Sequence, residues 1–388
     1  MSRKLLHIVP DDKFIDCAID LFDSTSVENR YVCLVDSIPY AFRYVKNITR
    51  VECIKTEEAE MLWNDFSVDM FCFHTLDYSK YQYLLSIPKT KKILWLSWGY
   101  DLYAQCQDCP PVLNIPCFKP LTQKYVGYKS WKTYIKEWLH FILHLESSIR
   151  RLYKSKQSER RAIRLQRQVF ERVDYISTVL PIEYDMLRKN TGTRAQYFPF
   201  QYSSRKKTQD VPQMSKKADS ILVGNSATMT NNHLDILSLL EQRGITNVIQ
   251  MPLSYGDEYY AEYLKQVAAS SKLKINPILN FMEKEEYMSF LPHCKALVLG
   301  CVRQQALGNV LMMLSQGSKV FLYEDSIDYK YLKSAGLVVF TIENDLTKEN
   351  MNTPLTEQEI VINRKKIDEL WSRENVLMRL NRFLMEME

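Results

Sequence analysis

No stretch of this sequence is apolar for long enough to cross a bilayer. The most apolar run, WLHFILHL, falls far short of the roughly 20 residues that a spanning helix needs. A cleavable leader is missing as well: in MSRKLLHIVPDDKF the basic start leads into an apolar run that Pro10, Asp11 and Asp12 break at once. The chain is therefore expected to stay in the cytosol. A zinc site lacks its second half, since CQDCPPVLNIPC offers Cys106, Cys109 and Cys117 and no further pair at suitable spacing, and no metal is expected. Nine cysteines, an odd number without an export signal, read as reduced thiols. A strong charge excess is also lacking: 51 Lys and Arg against 46 Asp and Glu leave +5, which argues against a nucleic-acid-binding protein or basic scaffold.

What is present is a chain of 388 residues, 46% of them apolar, long enough for two domains that each bury a core. In the first half, KLLHIVP, YVCLVD, MFCFHT, KILWLSW and VDYISTVL read as buried strands, with DDKFIDCAIDLF and EEAEMLW as helices between them. Such alternation predicts a parallel sheet covered by helices. The polar stretch 201–219 reads as a linker. After it the alternation restarts with SILVGNS, the helix NNHLDILSLLEQRG, TNVIQMPLSYG, DEYYAEYLKQVAAS, EKEEYMSFLPH, KALVLGCV, the helix ALGNVLMMLSQ and KVFLY. The expected architecture is α/β: two doubly wound Rossmann-like domains, residues 1–200 and 220–354, followed by a helical segment, 355–388, that packs across both.

In open parallel sheets ligands bind beyond the carboxyl ends of the strands, where helix N-termini favour anions. Arg303, Gln304 and Gln305 fall at such a place, between KALVLGCV and the next helix, and suit a diphosphate and its sugar hydroxyls. Gly308 permits close approach of a ligand or of backbone. Gly224 and Asn225 end the first strand of the same domain, Tyr255 lies in the turn after the second, and His233 opens the helix between them. Glu324 follows KVFLY and can accept from hydroxyls. In the N-terminal half, Asp101 follows KILWLSW by a glycine turn and His74 ends MFCFH; either can serve as the base that takes a proton from an attacking hydroxyl. The plain alternatives are a capped helix start for Arg303 to Gln305, a cap for Asp101 and a surface carboxylate for Glu324.

The motifs WGYDLY, ILVGNS with NNH, RQQALG and Glu324 in FLYED, with weaker matches at His7, His74 and YFPF, give the chain a resemblance to the 4-acetamido-4,6-dideoxygalactose transferases of enterobacterial common antigen synthesis. These are glycosyltransferases of the GT-B type, and the likeness is dense only after residue 220. It implies two domains facing a cleft, with a nucleotide diphosphate sugar, dTDP-linked by preference, held mainly by the C-terminal domain. It also implies a polyprenyl-diphosphate-linked glycan acceptor on the N-terminal one. No cofactor is implied, because protein donors such as Arg303 stabilise the departing diphosphate.

The segment 118–172 is longer than that pattern and carries 14 Lys and Arg against 4 Glu. Trp131, Trp138 and Phe141 interleave with basic residues, and Arg150, Arg151 and Lys154 follow, the pattern of an interfacial helix. A peripheral place on the inner face of the cytoplasmic membrane is expected, with a core-facing aromatic stripe as the alternative. A transferase of another sugar, or a nucleotide-sugar epimerase on the same fold, remains open.

Overall fold

Two all-parallel sheets carry the described residues of this computed structural model, which are 3–103, 110–128, 145–202, 206–208 and 217–387, the side chains of 145–155 and of Lys284 excepted. The first sheet is built from β1 (Lys4–Ile8), β2 (Glu28–Val35), β3 (Val51–Lys55), β4 (Met70–His74), β5 (Lys92–Leu96), β6 (Tyr175–Ser177) and β7 (Gln196–Tyr197). Its strand order is β3-β2-β1-β4-β5-β6-β7. The second comprises β8 (Ala218–Val223), β9 (Val248–Pro252), β10 (Ile275–Ile278), β11 (Cys294–Leu299), β12 (Lys319–Leu322) and β13 (Phe340–Thr341), in the order β10-β9-β8-β11-β12-β13.

Strands that are apolar on both faces need helices on both sides, and these sequences supply them. Every residue of β4, and Leu5 to Ile8 of β1, is buried. Helix Ile15–Phe22 covers them with Ile15, Ala18, Ile19, Leu21 and Phe22. In the second sheet, helix His233–Gln242 brings Ile236, Leu237 and Leu240 to a core that includes Ile221, Val223, Ile249 and Val298. Order reverses between β1 and β4 in one sheet and between β8 and β11 in the other. In open parallel sheets such a reversal is where ligands bind.

The chain divides into two compact units: 1–114 with 146–206 and 370–388, and 115–145 with 207–369. The sequence placed all of 118–172 with the first domain, whereas residues up to 145 belong to the second unit. The C-terminal stretch read as one helical segment is two helices, Glu357–Trp371 and Arg373–Glu386. Ser372 separates them and caps the second, its hydroxyl accepting from the Asn375 N–H. That last helix buries Val376, Leu380 and Leu384 in the core of the first unit. No helix among the described residues is long and apolar enough to cross a membrane.

Candidate active site

In the second unit the residues after β8 and β11 are tied side chain to side chain. Asn225 Oδ1 accepts from Gln305 Nε2 at 2.8 Å, and Asn225 Nδ2 donates to the Tyr255 hydroxyl at 2.9 Å. Gln305 Oε1 accepts from Thr230 Oγ1 at 2.7 Å, and the Gln305 N–H donates to Asp328 Oδ2 at 3.1 Å. Four loops thus converge at the strand-order reversal, held by amides that remain neutral at any pH of interest.

Gly224 turns the chain out of β8 with φ of +69°, a conformation that costs a residue with a Cβ. A Cβ there would stand 2.5 Å from His233 Nε2. The imidazole is fully buried, neither ring nitrogen has a hydrogen-bond partner among the described residues, and burial pushes its pKa down to about 3. His233 is therefore a neutral ring at the start of its helix. The backbone ahead of it is set by Asn231, whose Nδ2 donates to the Ser226 carbonyl at 3.0 Å, and by Asn232 in the left-handed region.

Asn232 and Asp235 also fasten a segment from earlier in the chain. Asn232 Nδ2 donates to the carbonyls of Cys117 and Gly300 at 2.9 and 2.7 Å, while its Oδ1 accepts from the Lys119 N–H at 2.8 Å. The Asp235 carboxylate accepts from the N–H groups of Leu121 and Thr122 and from the Thr122 hydroxyl at 2.7 to 2.9 Å. Lys119 pairs with Asp325, next to Glu324, at 2.9 Å.

Arg303 is half-buried beside Cys117 and Cys301, and its Nη1 donates to the Gln304 carbonyl at 3.1 Å. Gln304 is buried. Ala306 adopts φ of 57° and gives helix Leu307–Ser315 no side-chain cap. Gly308 is exposed with open space around it, so no protein backbone presses on that position. Glu324 is exposed, and its N–H donates to Glu343 Oε2 at 3.0 Å.

In the first unit His7 on β1 and His74 on β4 meet at the other reversal, both fully buried. His7 Nε2 lies 3.1 Å from Asn29 Oδ1, His7 Nδ1 lies 2.9 Å from His74 Nε2, and His74 Nδ1 lies 2.7 Å from the Tyr202 hydroxyl. Asn29 spends its Nδ2 on the carbonyls of Phe22 and Val27, so Oδ1 is the group that faces His7. That fixes every tautomer: His7 donates from Nε2, His74 donates from Nε2, and Tyr202 donates to His74. Burial lowers the His7 pKa to about 4 and puts that of His74 well below its usual value. Neither ring reaches solvent, and the geometry gives His74 a place in a buried chain of hydrogen bonds.

Asp101 is equally enclosed, at 8% exposure. Its Oδ2 accepts from Trp95 Nε1 at 2.9 Å and from the Thr75 hydroxyl and Leu76 N–H at 3.2 Å, and its Oδ1 accepts from the Trp98 N–H at 3.0 Å. Three donors thus meet Oδ2 and one meets Oδ1, and this carboxylate holds the ends of β4 and β5 together. Thr75 sits in the left-handed region with φ of 68°, strain that a β-branched residue carries only where its surroundings impose it.

More than half of the chain, residues 152–374, matches the family model described as 4-alpha-L-fucosyltransferase, glycosyl transferase group 56. The chain belongs to this family. Solved structures similar to the transferase over its full length include a glycosyltransferase from Rickettsia africae ESF-5, with a TM-score of 0.60 and 11% identity over 100% of both chains. Another is HepE of Anabaena in complex with UDP and glucose, with a TM-score of 0.62 and 8% identity over 99% of this chain and 100% of that one. Sucrose-phosphate synthase of Thermosynechococcus elongatus is similar at 0.61 and 8%, over 99% and 98%. At such identities the likeness is one of fold, and the transferase has the GT-B fold of two Rossmann-like units.

Sequence reasoning found Gly224, Asn225, His233, Tyr255 and Gln305, which the fold of the transferase brings together, and placed Arg303 and Gln304 beside them. It quoted Asn232 in the NNH motif without a role and missed Thr230, Asp235 and Asp328. Trp131, Trp138 and Phe141 lie outside the described residues. Arg150, Arg151 and Lys154 fall on helix Leu145–Arg172, where their side chains lie outside the described set.

Proposed function

We propose that this transferase moves a 4-amino-4,6-dideoxyhexose, 4-acetamido-4,6-dideoxygalactose first among them, from a dTDP-sugar to a polyprenyl-diphosphate-linked oligosaccharide in bacterial surface polysaccharide synthesis. The observation that carries the donor site is the Asn225–Gln305 tie at the reversal between β8 and β11, with Arg303 two residues before Gln305 and Gly224 against His233. A nucleotide diphosphate there meets a guanidinium for its charge and amides for its hydroxyls. The family description supports the sugar class: fucose is a 6-deoxygalactose, and the proposed sugar has the same skeleton with an acetamido group in place of O4. That the Anabaena protein holds UDP and glucose supports a nucleoside diphosphate as the carrier.

Exposed Lys156, Arg160, Arg161, Arg164 and Arg167 on helix Leu145–Arg172 support an acceptor presented at the inner, anionic face of the cytoplasmic membrane. The described part of the helix opposes them with Glu159 and Glu171 alone.

The test is a melting-temperature panel of nucleoside diphosphates, since a ligand bound only by the folded protein raises that temperature. dTDP is expected to give the largest shift, followed by transfer from its 4-acetamido sugar to the lipid-linked acceptor. Arg303→Ala should weaken binding of the diphosphate by about 1.5 to 3 kcal/mol and leave the nucleoside unaffected. A panel with no shift overturns the reading.

A further inference from the structure

Carboxylates crowd the place where β1, β4 and β5 end in the first unit. The Tyr100 hydroxyl hydrogen-bonds with Thr75 and lies within the field of Asp101, Asp77 and Asp12. Two of these three are committed to the protein. Asp101 accepts from the four donors described above. Asp77 accepts from the Ser79 N–H and hydroxyl and from Lys80 Nζ, the last at 2.7 Å. The neighbouring Asp11 is committed too, to the N–H groups of Arg43, Tyr44 and Val45 and to the Tyr40 hydroxyl.

Asp12 differs. Its Oδ1 accepts from the Phe14 N–H at 3.1 Å, and its Oδ2 makes no hydrogen bond among the described residues, on a side chain that is half-buried and reachable from outside. Beside it stand two exposed rings, Phe14 at 40% exposure and Tyr100 at 45%. Trp98, with ring centroids 5.3 Å apart, holds the Phe14 ring in place, and Lys13 Nζ lies over that ring at 5.5 Å. A pyranose ring fits such company: apolar C–H faces lie against aromatic rings while a hydroxyl reaches a carboxylate.

We propose that Asp12 is the catalytic base of the transfer, its Oδ2 taking the proton of the acceptor hydroxyl as that oxygen bonds to the anomeric carbon of the donor. In the same step the bond from that carbon to the diphosphate oxygen breaks, and its electron pair leaves with the nucleotide diphosphate. The inference rests on the functional reading above, in which the acceptor is a saccharide hydroxyl. Burial holds the Asp12 carboxyl above its ordinary range, against the Phe14 N–H and Lys13, which lower it, and with Asp11, which raises it. The other charged or titratable groups that meet there are Tyr100, Asp77 and Asp101. A base raised toward the working pH accepts a proton more readily.

Asp12→Asn tests this, because the amide keeps an oxygen for the Phe14 N–H and removes the basic one. The expected result is a turnover about 10² to 10⁴ times lower with unchanged dTDP affinity, together with loss of the acid limb of the kcat/KM profile. Asp36→Asn, an exposed carboxylate after β2, should turn over normally. If the first variant fails to fold, Asp12→Ser, whose hydroxyl can also accept from the Phe14 N–H, carries the same test. A folded variant within threefold of the wild-type rate, or one that keeps the acid limb, overturns the inference. A wild-type protein that binds no nucleoside diphosphate and transfers no sugar overturns the functional reading instead.

Discussion

His7, His74 and His233 are buried as neutral rings, and this single property gives the transferase a pH-dependent stability. In the unfolded chain each imidazole titrates near pH 6.5. In the folded one the pKa is about 4 for His7, about 3 for His233 and well below 6.5 for His74. Below pH 6.5 the unfolded state takes up protons that the folded state refuses, so stability is complete above about pH 7 and falls as the pH drops toward 4. The slope approaches about 1.4 kcal/mol per pH unit for each ring. Urea midpoints at pH 7.5, 6 and 5 should therefore decline in order, and a flat series would contradict the neutral, buried state. Gly224→Ala should lower stability by about 1 to 3 kcal/mol, from its positive φ and from the contact with His233, which a urea midpoint would register. Not every residue here was legible in the sequence. Gly224 and Asn225 were, because they end an apolar strand before an amphipathic helix. Asp101 and His74 were found as strand-end polar residues, but a sequence cannot tell that four donors enclose one and a hydrogen-bond chain the other. Asp12 went unremarked as a base because its distinction is an unused oxygen, which only the surrounding partners reveal.

At the level of elements, the strands that the sequence concealed share one position. β3, β7, β10 and β13 are the four sheet edges. An edge strand has one neighbour, is short and partly wet, and so lacks the continuous apolar run that marks β1, β4, β8 and β11. β10, with the sequence INPI, even carries a proline in its interior, where an edge strand tolerates it best. The fastening of residues 117–122 was hidden for another reason: it joins groups more than a hundred positions apart. Its strength is testable, since the Asp235 carboxylate accepts three hydrogen bonds, two of them buried. Asp235→Ala should destabilise the second unit by about 2 to 4 kcal/mol. Hydrogen exchange should locate the loss at the N–H groups of Leu121 and Thr122, and unchanged protection there would show that the segment is held by its side-chain packing alone.

Across the whole molecule, the chain passes from one unit to the other at residues 114/115, 145/146, 206/207 and 369/370. Each unit is therefore assembled from pieces remote in sequence, and no single cut yields two complete halves. Removing residues 370–388 should unfold the first unit, since Val376, Leu380 and Leu384 leave its core, while the second unit keeps its own. Leu380→Ala alone should cost about 2 to 5 kcal/mol. Limited proteolysis of the shortened protein should leave fragments from 207–369 and degrade 1–114; survival of the latter would show that the sheet stands without its last helix.

That last helix also bears on the order of events at the ribosome. Chains are made from the N-terminus, and domains usually fold as they emerge, the earlier before the later. Here β1 to β7 are synthesised long before Arg373–Glu386, which completes the core they share, whereas every piece of the second unit has been made by residue 369. The half of the protein that is translated first is the half that finishes folding last, and until Arg373–Glu386 has been made, the part of its core that Val376, Leu380 and Leu384 fill stays open.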